Sequence, residues 1–222
     1  MATTKKATIK KEMIDDNKII YHFMNEVLET NQEPKNVYVF CKNHNISETD
    51  FYSFFGSFDA LKQEIWVKFF ENAINTIEKD VAYEGYLDKD KLLSLYFTLF
   101  EIMTLNRTYV KFSLQENKEG LKNLKYLKKF RNQFKEFIVG IIRQSATSGS
   151  EKFLKVSEPV FSEGAWIQFL FLLKFWIDDT SKSFEKTDVL IEKSVNTVVG
   201  LLETKHLENL FDLGKFLWKE KN

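Results

Sequence analysis

The chain of 222 residues is long enough to bury a hydrophobic core, and its 44% hydrophobic and 29% charged residues exclude a disordered protein. Its 32 basic and 32 acidic residues cancel, so no global charge points to nucleic acid or to an anionic membrane. The composition, with 22 Phe but only 8 Gly and 2 Pro, favours an all-α fold, and the single Cys41 excludes an internal disulfide and is compatible with the cytoplasm.

Hydrophobic spacing predicts four helices in the N-terminal part of the chain. The expected ranges are 14–30, 36–43, 48–54 and 58–79. Pro34 marks the start of the second helix, Ser47 is the expected N-cap of the third, and Gly56 ends that helix before Ser57 caps the fourth. These helices predict a small N-terminal bundle over residues 1–60.

The rest of the chain, residues 61–222, reads as a larger C-terminal helical bundle. Helices are expected near 91–104, 108–117, 121–145, 158–178, 188–202 and 207–219, and "SATSGSEKF" is the clearest loop. The most apolar run, Ala165 to Ile177, is too short to span a bilayer and contains Gln168 and Lys174. It predicts a buried helix and no membrane span.

The last helix is amphipathic, and docking on the body or on a second subunit is its default role, with a membrane surface as the alternative.

The stretch "NVYVFCKNHNISETDFYSFFGSFDAL", residues 36–61, resembles the helix-turn-helix of the tetracycline-repressor family of transcriptional regulators. Residues 45–47 stand at the turn, and the aromatic pair 51–52 and the Phe-Gly-Ser of 55–57 match the end of the motif in spacing. The resemblance implies a DNA-binding domain whose contacts with double-stranded DNA come from Asn36, Ser47, Glu48, Thr49, Tyr52 and Ser53.

A second stretch, "FWIDDTSKSFEKTDVLIEKSV" at 175–195, resembles the junction of the eighth and ninth helices of the same family. It implies a homodimer through the helices near 158–179 and 188–202, with two recognition helices about 34 Å apart on a palindromic operator. A small apolar effector is expected to enter the C-terminal bundle, tilt the fourth helix and release the DNA, as in a repressor. The aromatic side chains expected to line its site are Phe97, Phe100, Phe112, Phe134, Trp166 and Phe169.

The N-terminal motif departs from the family pattern in two ways. Phe58 stands where the family usually has a lysine that contacts a DNA phosphate, and Asn45 replaces the turn glycine, which asparagine tolerates because it adopts left-handed backbone. The motif also carries one base, Lys42, against three acids. Two hypotheses follow: either the basic run "KKATIKK" at the N-terminus supplies the missing charge, or the protein binds a ligand or lipid and no longer reads DNA.

Other residue clusters predict neither a metal site nor catalysis. His22, His44 and His206 are isolated in the sequence, and no nucleophile triad, Gly-rich phosphate loop or paired carboxylate pattern stands out. The chain is therefore expected to be no enzyme and to need no cofactor. The basic run from Arg107 to Lys135 is interpreted as solvated helix faces, with an anionic partner as the alternative.

Overall fold

The structure is a computed structural model that describes residues 14–115, 124–145 and 151–202. All regular elements in these ranges are helical, and no strand occurs among them. The expected all-α fold is therefore confirmed. The chain divides into two compact units, Met1–Ile65 and Trp66–Asn222, which we call unit 1 and unit 2.

Unit 1 is built from three short helices and the start of a fourth. They are α1 (Asp16–Thr30), α2 (Val37–Asn43), α3 (Glu48–Phe54) and α4 (Phe58–Ile77), and each begins or ends within two residues of its predicted range. The sequence located them well because their boundaries are local signals, such as caps and turn residues. Their buried side chains in unit 1 include Ile19, Ile20, Phe23, Val27, Phe40, Cys41, Phe51, Leu61 and Ile65.

The part of unit 2 that the structure describes contains the end of α4 and five further α-helices. These are α5 (Asp88–Leu105), α6 (Arg107–Gln115), α7 (Lys128–Ser145), α8 (Glu151–Asp178) and α9 (Glu185–Leu202). The main packing pairs are α7 with α8, α5 with α9, and α8 with α9. The centre of this bundle is aromatic, and its fully or nearly fully buried rings include Trp66, Tyr96, Phe130, Phe134, Phe169 and Trp176.

Four of the predicted helix starts in unit 2 were wrong, and the first is that of α5, which begins at Asp88, before the predicted 91. Residues 124–127 form a 3₁₀ turn before α7, so the described part of the predicted helix 121–145 is not one continuous α-helix. Helix α8 starts at Glu151, before the predicted 158, and it continues through Pro159. Proline removes one backbone donor and usually marks a first turn, which is why the sequence favoured the later start. Helix α9 starts at Glu185 rather than 188, after a 3₁₀ turn over Lys182–Phe184.

Arg107 ties the C-terminal end of α8 to the start of α6. Its guanidinium donates to the carbonyl oxygens of Trp176 (2.8 Å), Ile177 (3.1 Å) and Asp179 (3.1 Å) at the C-terminal end of α8, where carbonyls lack partners within the helix, although the Trp176 carbonyl also accepts from the Asp179 amide at 3.2 Å. The same group lies between two rings, 4.4 Å from the Trp176 centroid and 4.3 Å from that of Phe184. Arg107 therefore fixes the α8–α9 turn from a third helix.

A buried polar chain links α5, α8 and α9. The Tyr96 hydroxyl donates to the Ala165 carbonyl at 3.1 Å and lies 3.4 Å from Gln168 Oε1, while Gln168 Nε2 donates to Ser194 Oγ at 3.0 Å. Burial raises the pKa of Tyr96, so its hydroxyl stays a donor. Because every link is satisfied, the chain fixes the register of three helices at low cost.

The described residues include one helical stretch, 158–178, that is long and apolar enough to cross a membrane by length and composition. This stretch is longer than the apolar run 165–177, so the length of that run alone does not decide whether the helix could span a membrane. Nearly half of its most apolar window, 44%, is buried inside the protein, and Phe169, Leu172 and Leu173 are fully buried. Core helices of soluble proteins have this pattern, and so the stretch is weak support for a membrane span.

The predicted helix at 207–219, the basic run at 5–11 and His206 lie outside the described residues.

Candidate functional site

The turn between α2 and α3 has the backbone that a helix-turn-helix needs. Asn45 has a φ of 55°, in the left-handed region, and the Ile46 amide donates back to the Cys41 carbonyl at 2.9 Å. Asparagine adopts this conformation more readily than most residues, which confirms its predicted role in place of glycine. The chain can therefore turn within the four residues, 44–47, that lie between the two helices.

Side-chain caps hold the two ends of this motif. Asn36 Oδ1 accepts from the Val39 amide at 2.9 Å at the start of α2, and Ser47 Oγ accepts from the Asp50 amide at 3.0 Å at the start of α3. Ser57 Oγ accepts from the Ala60 amide at 3.2 Å, which confirms it as the cap of α4. Asn36 and Ser47, both predicted as DNA contacts, thus have structural roles in the protein itself.

The exposed side of α3 carries the other predicted DNA-contacting residues. Glu48, Thr49, Tyr52 and Ser53, which we call the reading face, are all exposed, and the Tyr52 side chain is 52% accessible. Ser53 Oγ donates to the Asp50 carbonyl at 2.7 Å, so its hydroxyl is engaged within the helix. The structure brings these four residues together on one short helix.

The Phe58 ring packs against other aromatic rings of unit 1, whereas the family usually has a lysine here that contacts a DNA phosphate. Its ring centroid lies 5.3 Å from that of Phe23, 5.7 Å from that of Phe40 and 5.6 Å from that of Phe51. The pairs with Phe40 and Phe51 are edge-to-face, and such aromatic pairs contribute about 0.5–1.5 kcal/mol each beyond the area they bury. The residue that replaces a phosphate-binding lysine therefore holds α1, α2, α3 and α4 together.

The described part of unit 1 is acidic. Residues 14–65 contain nine carboxylates and four lysines, a net charge of −5. One of these cations, Lys62, is buried and pairs with Glu33. The other three are Lys18, Lys35 and Lys42. A surface of this charge repels DNA phosphates unless cations from elsewhere outweigh it.

The histidines of unit 1 are not isolated in space, which corrects the sequence-based interpretation. The His22 and His44 rings lie 4.5 Å apart, and His44 Nε2 is 2.7 Å from the Glu26 carboxylate. His22 and Glu26 are one turn apart on α1, a spacing that is visible in the sequence. The position of His44 beside them is visible only in the tertiary structure, because His44 follows a different helix, α2. The described residues contain no group of three or more side chains able to hold a metal ion.

Four of the six aromatic residues predicted to line an effector site cluster in unit 2. Phe134, Trp166 and Phe169 are in mutual ring contact at 5.2–5.8 Å, and Phe100 reaches Phe169 at 6.1 Å. Phe97 is 38% exposed and Phe112 is half-buried. The clustered rings pack directly against one another, and a surface cavity of about 550 Å³ in the same unit is lined by other residues.

Helix α8 exposes a continuous apolar stripe, formed by Val160, Gly164, Ile167, Phe171 and Phe175. Steps of three or four residues put these positions on one face of the helix. Ile167 and Phe171 are 64% and 55% exposed, unusual values for large apolar side chains in the middle of a long helix. We call this surface the α8 stripe. The sequence analysis predicted that the whole run 165–177 is buried, because the run is apolar on all sides of the helix.

Part of the basic run at 107–135 serves to join α7 and α8. Arg131 and Lys135 both pair with Glu163, and Arg143 pairs with Glu158 through two nitrogens at 2.7 and 2.8 Å. The hydrogen bonds from Lys135 and Arg131 lower the pKa of Glu163, so this carboxylate stays charged. Arg131 and Lys135, the two cations of the run in these contacts, are therefore inter-helix partners and not only a solvated face.

A family comparison bears on unit 2. Residues 91–217 match the family described as "Tetracyclin repressor-like, C-terminal domain", which is more than half of the chain. No curated protein matches the chain. The match covers α5 to α9, the region whose sequence resembled the family only at the α8–α9 junction, and it agrees with the helix-turn-helix resemblance of unit 1. The chain therefore belongs to the tetracycline-repressor family, a family of ligand-responsive transcription regulators.

Proposed function

We propose that this protein is a homodimeric repressor that binds a palindromic operator through the reading face of α3 and leaves it when an effector binds unit 2. The observation that carries the proposal is the helix-turn-helix geometry of unit 1 in a chain of this family, with Asn45 at the turn and Thr49 and Tyr52 exposed on α3. Regulators of this family are not enzymes, which supports a binding role over a catalytic one.

The reading face is suited to polar base contacts more than to phosphate contacts. Glu48 can accept from the amino group of cytosine, and the hydroxyls of Thr49 and Tyr52 can bond to bases or phosphates. None of the four side chains of the face is cationic. Sequence-specific contacts would therefore come from α3, and most of the non-specific affinity must come from other parts of the protein.

The N-terminal run at residues 5–11 is the proposed source of that affinity. It contains Lys5, Lys6, Lys10 and Lys11, as many lysines as the whole described part of unit 1. Each phosphate that a lysine neutralises adds about 0.9 to the slope of log affinity against log salt concentration. Replacing all four lysines by alanine is expected to weaken operator binding and to make its salt dependence shallower.

The α8 stripe supports the proposed homodimer. An exposed apolar surface of this length marks an interface in most soluble proteins, and Val189 on α9 adds a further apolar side chain that is 48% exposed. In a two-fold arrangement the same stripe would face its own copy. Dimerisation through α8 and α9 would place two reading faces on successive turns of B-DNA, about 34 Å apart.

Effector binding is proposed to act through α4. This helix begins in unit 1 at Phe58 and ends in unit 2 at Ile77. An effector that favours one position of its C-terminal end would bias the other end as well. Linkage then requires that DNA lowers effector affinity by the same factor by which the effector lowers DNA affinity.

The first test is binding of the purified full-length protein to its own upstream DNA, with a salt series. Wild type is expected to bind specifically, and Tyr52→Ala is expected to bind about tenfold or more weakly, since one base contact contributes about 1–3 kcal/mol. Tyr21→Ala is the matched control, because Tyr21 is 61% exposed on α1, outside the reading face. Equal operator affinity of Tyr52→Ala and wild type would contradict the assignment of α3.

A second candidate function is a ligand- or lipid-binding protein that has lost DNA binding. The net charge of −5 over residues 14–65 and the inward packing of Phe58 favour it specifically. Absence of DNA binding at low salt, together with a lipid or small molecule that co-purifies with the protein, would favour this candidate over the repressor.

A further inference from the structure

Unit 2 contains a surface cavity of about 550 Å³ beside the C-terminal end of α4. The segment that follows α4 contributes Glu78, Asp80, Tyr83 and Glu84, and the first turn of α5 contributes Lys91. The opposite wall is one face of α7, formed by Phe137, Gly140, Ile141 and Gln144. We call this space the α4–α5 cavity. It is distinct from the aromatic cluster that the sequence predicted as the effector site.

Its mouth is negatively charged. Three carboxylates and one ammonium line the cavity, for a net charge of −2, and all three carboxylate residues are exposed. Asp80 is committed to the turn, because it accepts from the Tyr86 hydroxyl at 2.7 Å and from the Ala82 amide at 3.0 Å. Glu78 and Glu84 are therefore the two carboxylates left to meet a ligand.

Tyr83 lies close to both of these carboxylates. Burial raises the pKa of its phenol to about 12, and the charges of Glu78 and Glu84 contribute to the same shift. The phenol therefore stays neutral, and its ring lines the same cavity as the two carboxylates. An aromatic face next to carboxylates attracts an organic cation by two electrostatic effects at once.

The base of the cavity holds a buried ammonium with neutral partners. Lys91 is 8% exposed, and its Nζ donates to Gln144 Oε1 at 2.8 Å and lies 5.8 Å from the Tyr83 ring centroid. These contacts use one of the three N–H groups in a conventional hydrogen bond. Buried charges in proteins are usually paired more completely, so a polar oxygen of a ligand is a suitable further acceptor.

The α7 wall supplies apolar contact and space. Phe137 and Ile141 are one turn apart and present hydrocarbon to the cavity. Gly140 lies between them, and a Cβ placed on it would meet no atom within 4 Å. The absence of a side chain at Gly140 therefore leaves this part of the wall open, and a Cβ there can be added without a clash.

We propose that the α4–α5 cavity binds an amphipathic organic amine, with its cationic group between Glu78 and Glu84, its apolar body against Phe137 and Ile141, and an oxygen acceptor at Lys91 where it carries one. This inference rests on the proposed function in one respect only, that the bound amine acts as the effector. It changes the expected ligand from a purely apolar molecule in the aromatic cluster to a cation beside the end of α4.

The test is calorimetric titration of the full-length protein with two probes of the same shape and opposite charge, 4-phenylbutylamine and 4-phenylbutyrate. The amine is expected to bind at least about tenfold more tightly than the acid, because the net charge of the cavity lining is negative even though Lys91 can donate to a carboxylate. Changing both Glu78→Gln and Glu84→Gln should weaken amine binding by about tenfold or more, because two nearby charges are lost. Raising the salt concentration should also weaken it.

Two further variants separate the site from general effects. Glu101→Gln removes an exposed carboxylate of α5 outside the cavity and should leave amine binding unchanged. Gly140→Leu should reduce amine binding by about tenfold or more while the denaturation midpoint stays near that of wild type, because the added side chain enters open space.

Four outcomes would overturn the inference. They are no heat from the amine at about 10 mM, binding of the acid as strong as that of the amine, unchanged amine affinity when both glutamates are neutral, and unchanged affinity in Gly140→Leu. The titration does not require DNA. Operator binding without amine binding would therefore reject the amine site alone, and amine binding without operator binding would reject the repressor alone.

Discussion

The carboxylate of Asp179 accepts four hydrogen bonds in the turn between α8 and α9. The Ser181 amide and hydroxyl donate at 2.8 and 2.7 Å, and the Thr187 amide and hydroxyl donate at 3.0 and 2.6 Å. Burial alone would raise the pKa of Asp179, but these hydrogen bonds outweigh it and lower the pKa to about 2. One residue thus joins the end of one helix to the first turn of the next.

This pKa predicts a pH-dependent contribution to stability. The folded-state pKa lies below the ordinary value of 3.8, so the unfolded chain takes up the proton first as the pH falls. The contribution, about 1–2 kcal/mol, is complete above about pH 5 and is lost as the pH falls through about 2. In urea unfolding, Asp179→Asn should be less stable than wild type at pH 6, and the difference should shrink towards pH 3.

Asp178→Asn is the control for that experiment. Asp178 is the neighbouring residue, its side chain is 65% exposed, and it pairs with Lys174 one turn earlier on α8. Exposed pairs of this kind contribute about 0.3–0.5 kcal/mol. A loss of stability in Asp178→Asn as large as that in Asp179→Asn, or a loss in Asp179→Asn that does not depend on pH, would contradict the role given to the Asp179 carboxylate.

Phe58 and Asn45 illustrate how far single residues could be interpreted from the sequence. The left-handed backbone at Asn45 was predictable, because the preference belongs to the residue itself. The loss of a cation at position 58 was also visible. Its replacement by a ring that touches Phe23, Phe40 and Phe51 was not, because those residues come from three other helices.

At the scale of the element, α8 depends on Arg107 for its C-terminal end. Arg107→Lys keeps the charge but loses the planar fork that reaches three carbonyl oxygens and lies between two rings. Carbonyls left unpaired in a partly buried site cost about 1–3 kcal/mol each, so we expect a loss of about 2–3 kcal/mol in the free energy of unfolding. Denaturant unfolding monitored by helix content would measure it.

Arg131→Lys is the matched comparison on α7. Arg131 is also an arginine in an inter-helix contact, but its side chain is 41% exposed and its partner is the Glu163 carboxylate, which Lys135 also contacts. Its replacement should cost less than about 1 kcal/mol. If Arg107→Lys and Arg131→Lys are equally stable, the hydrogen bonds of Arg107 at the end of α8 contribute no more to the free energy of unfolding than the exposed contact of Arg131 does.

The helices themselves were predicted with uneven success, for a physical reason. The ends of α2 and α3 follow from caps such as Asn36 and Ser47, which act within three residues. The start of α8 does not, because Pro159 indicates a first turn although the helix continues through it. The start of α9 also follows from contacts over longer distance, since Asp179 holds the Thr187 amide from eight residues away.

At the scale of the whole molecule, the α8 stripe predicts the oligomeric state. Phe171→Asp places a charge in the middle of the stripe, where a dimer would have to bury it. We expect wild type to sediment as a dimer and Phe171→Asp to sediment largely as a monomer with unchanged helix content. Operator affinity should fall in the same variant, because one reading face alone binds half of a palindromic site.

Val81→Asp is the control for the dimer. Val81 is 96% exposed in the segment after α4 and lies outside the α8 stripe. Introducing the same charge there should leave the sedimentation coefficient unchanged. A wild-type protein that sediments as a monomer at micromolar concentration, or a Phe171→Asp variant that stays dimeric, would contradict the proposed interface.

The amino-acid sequence by itself determined the all-α fold, the helices of unit 1 and the family. Each rests on local information: the 3.6-residue spacing of apolar side chains, cap residues, and the spacing of the motif at 36–61. The sequence also shows that the helix-turn-helix stretch at 36–61 is acidic, because net charge follows from composition alone.

Only the tertiary structure decided which distant residues meet. It brought His44 to His22 and Glu26, arranged Arg107 at the end of α8, and put Glu78 and Glu84 at the mouth of a cavity walled by α7. It also separated the exposed side of α8 from its buried side. Such pairings depend on helix packing between segments far apart in the chain, and a helix that is apolar on all sides carries no periodic signal to reveal them.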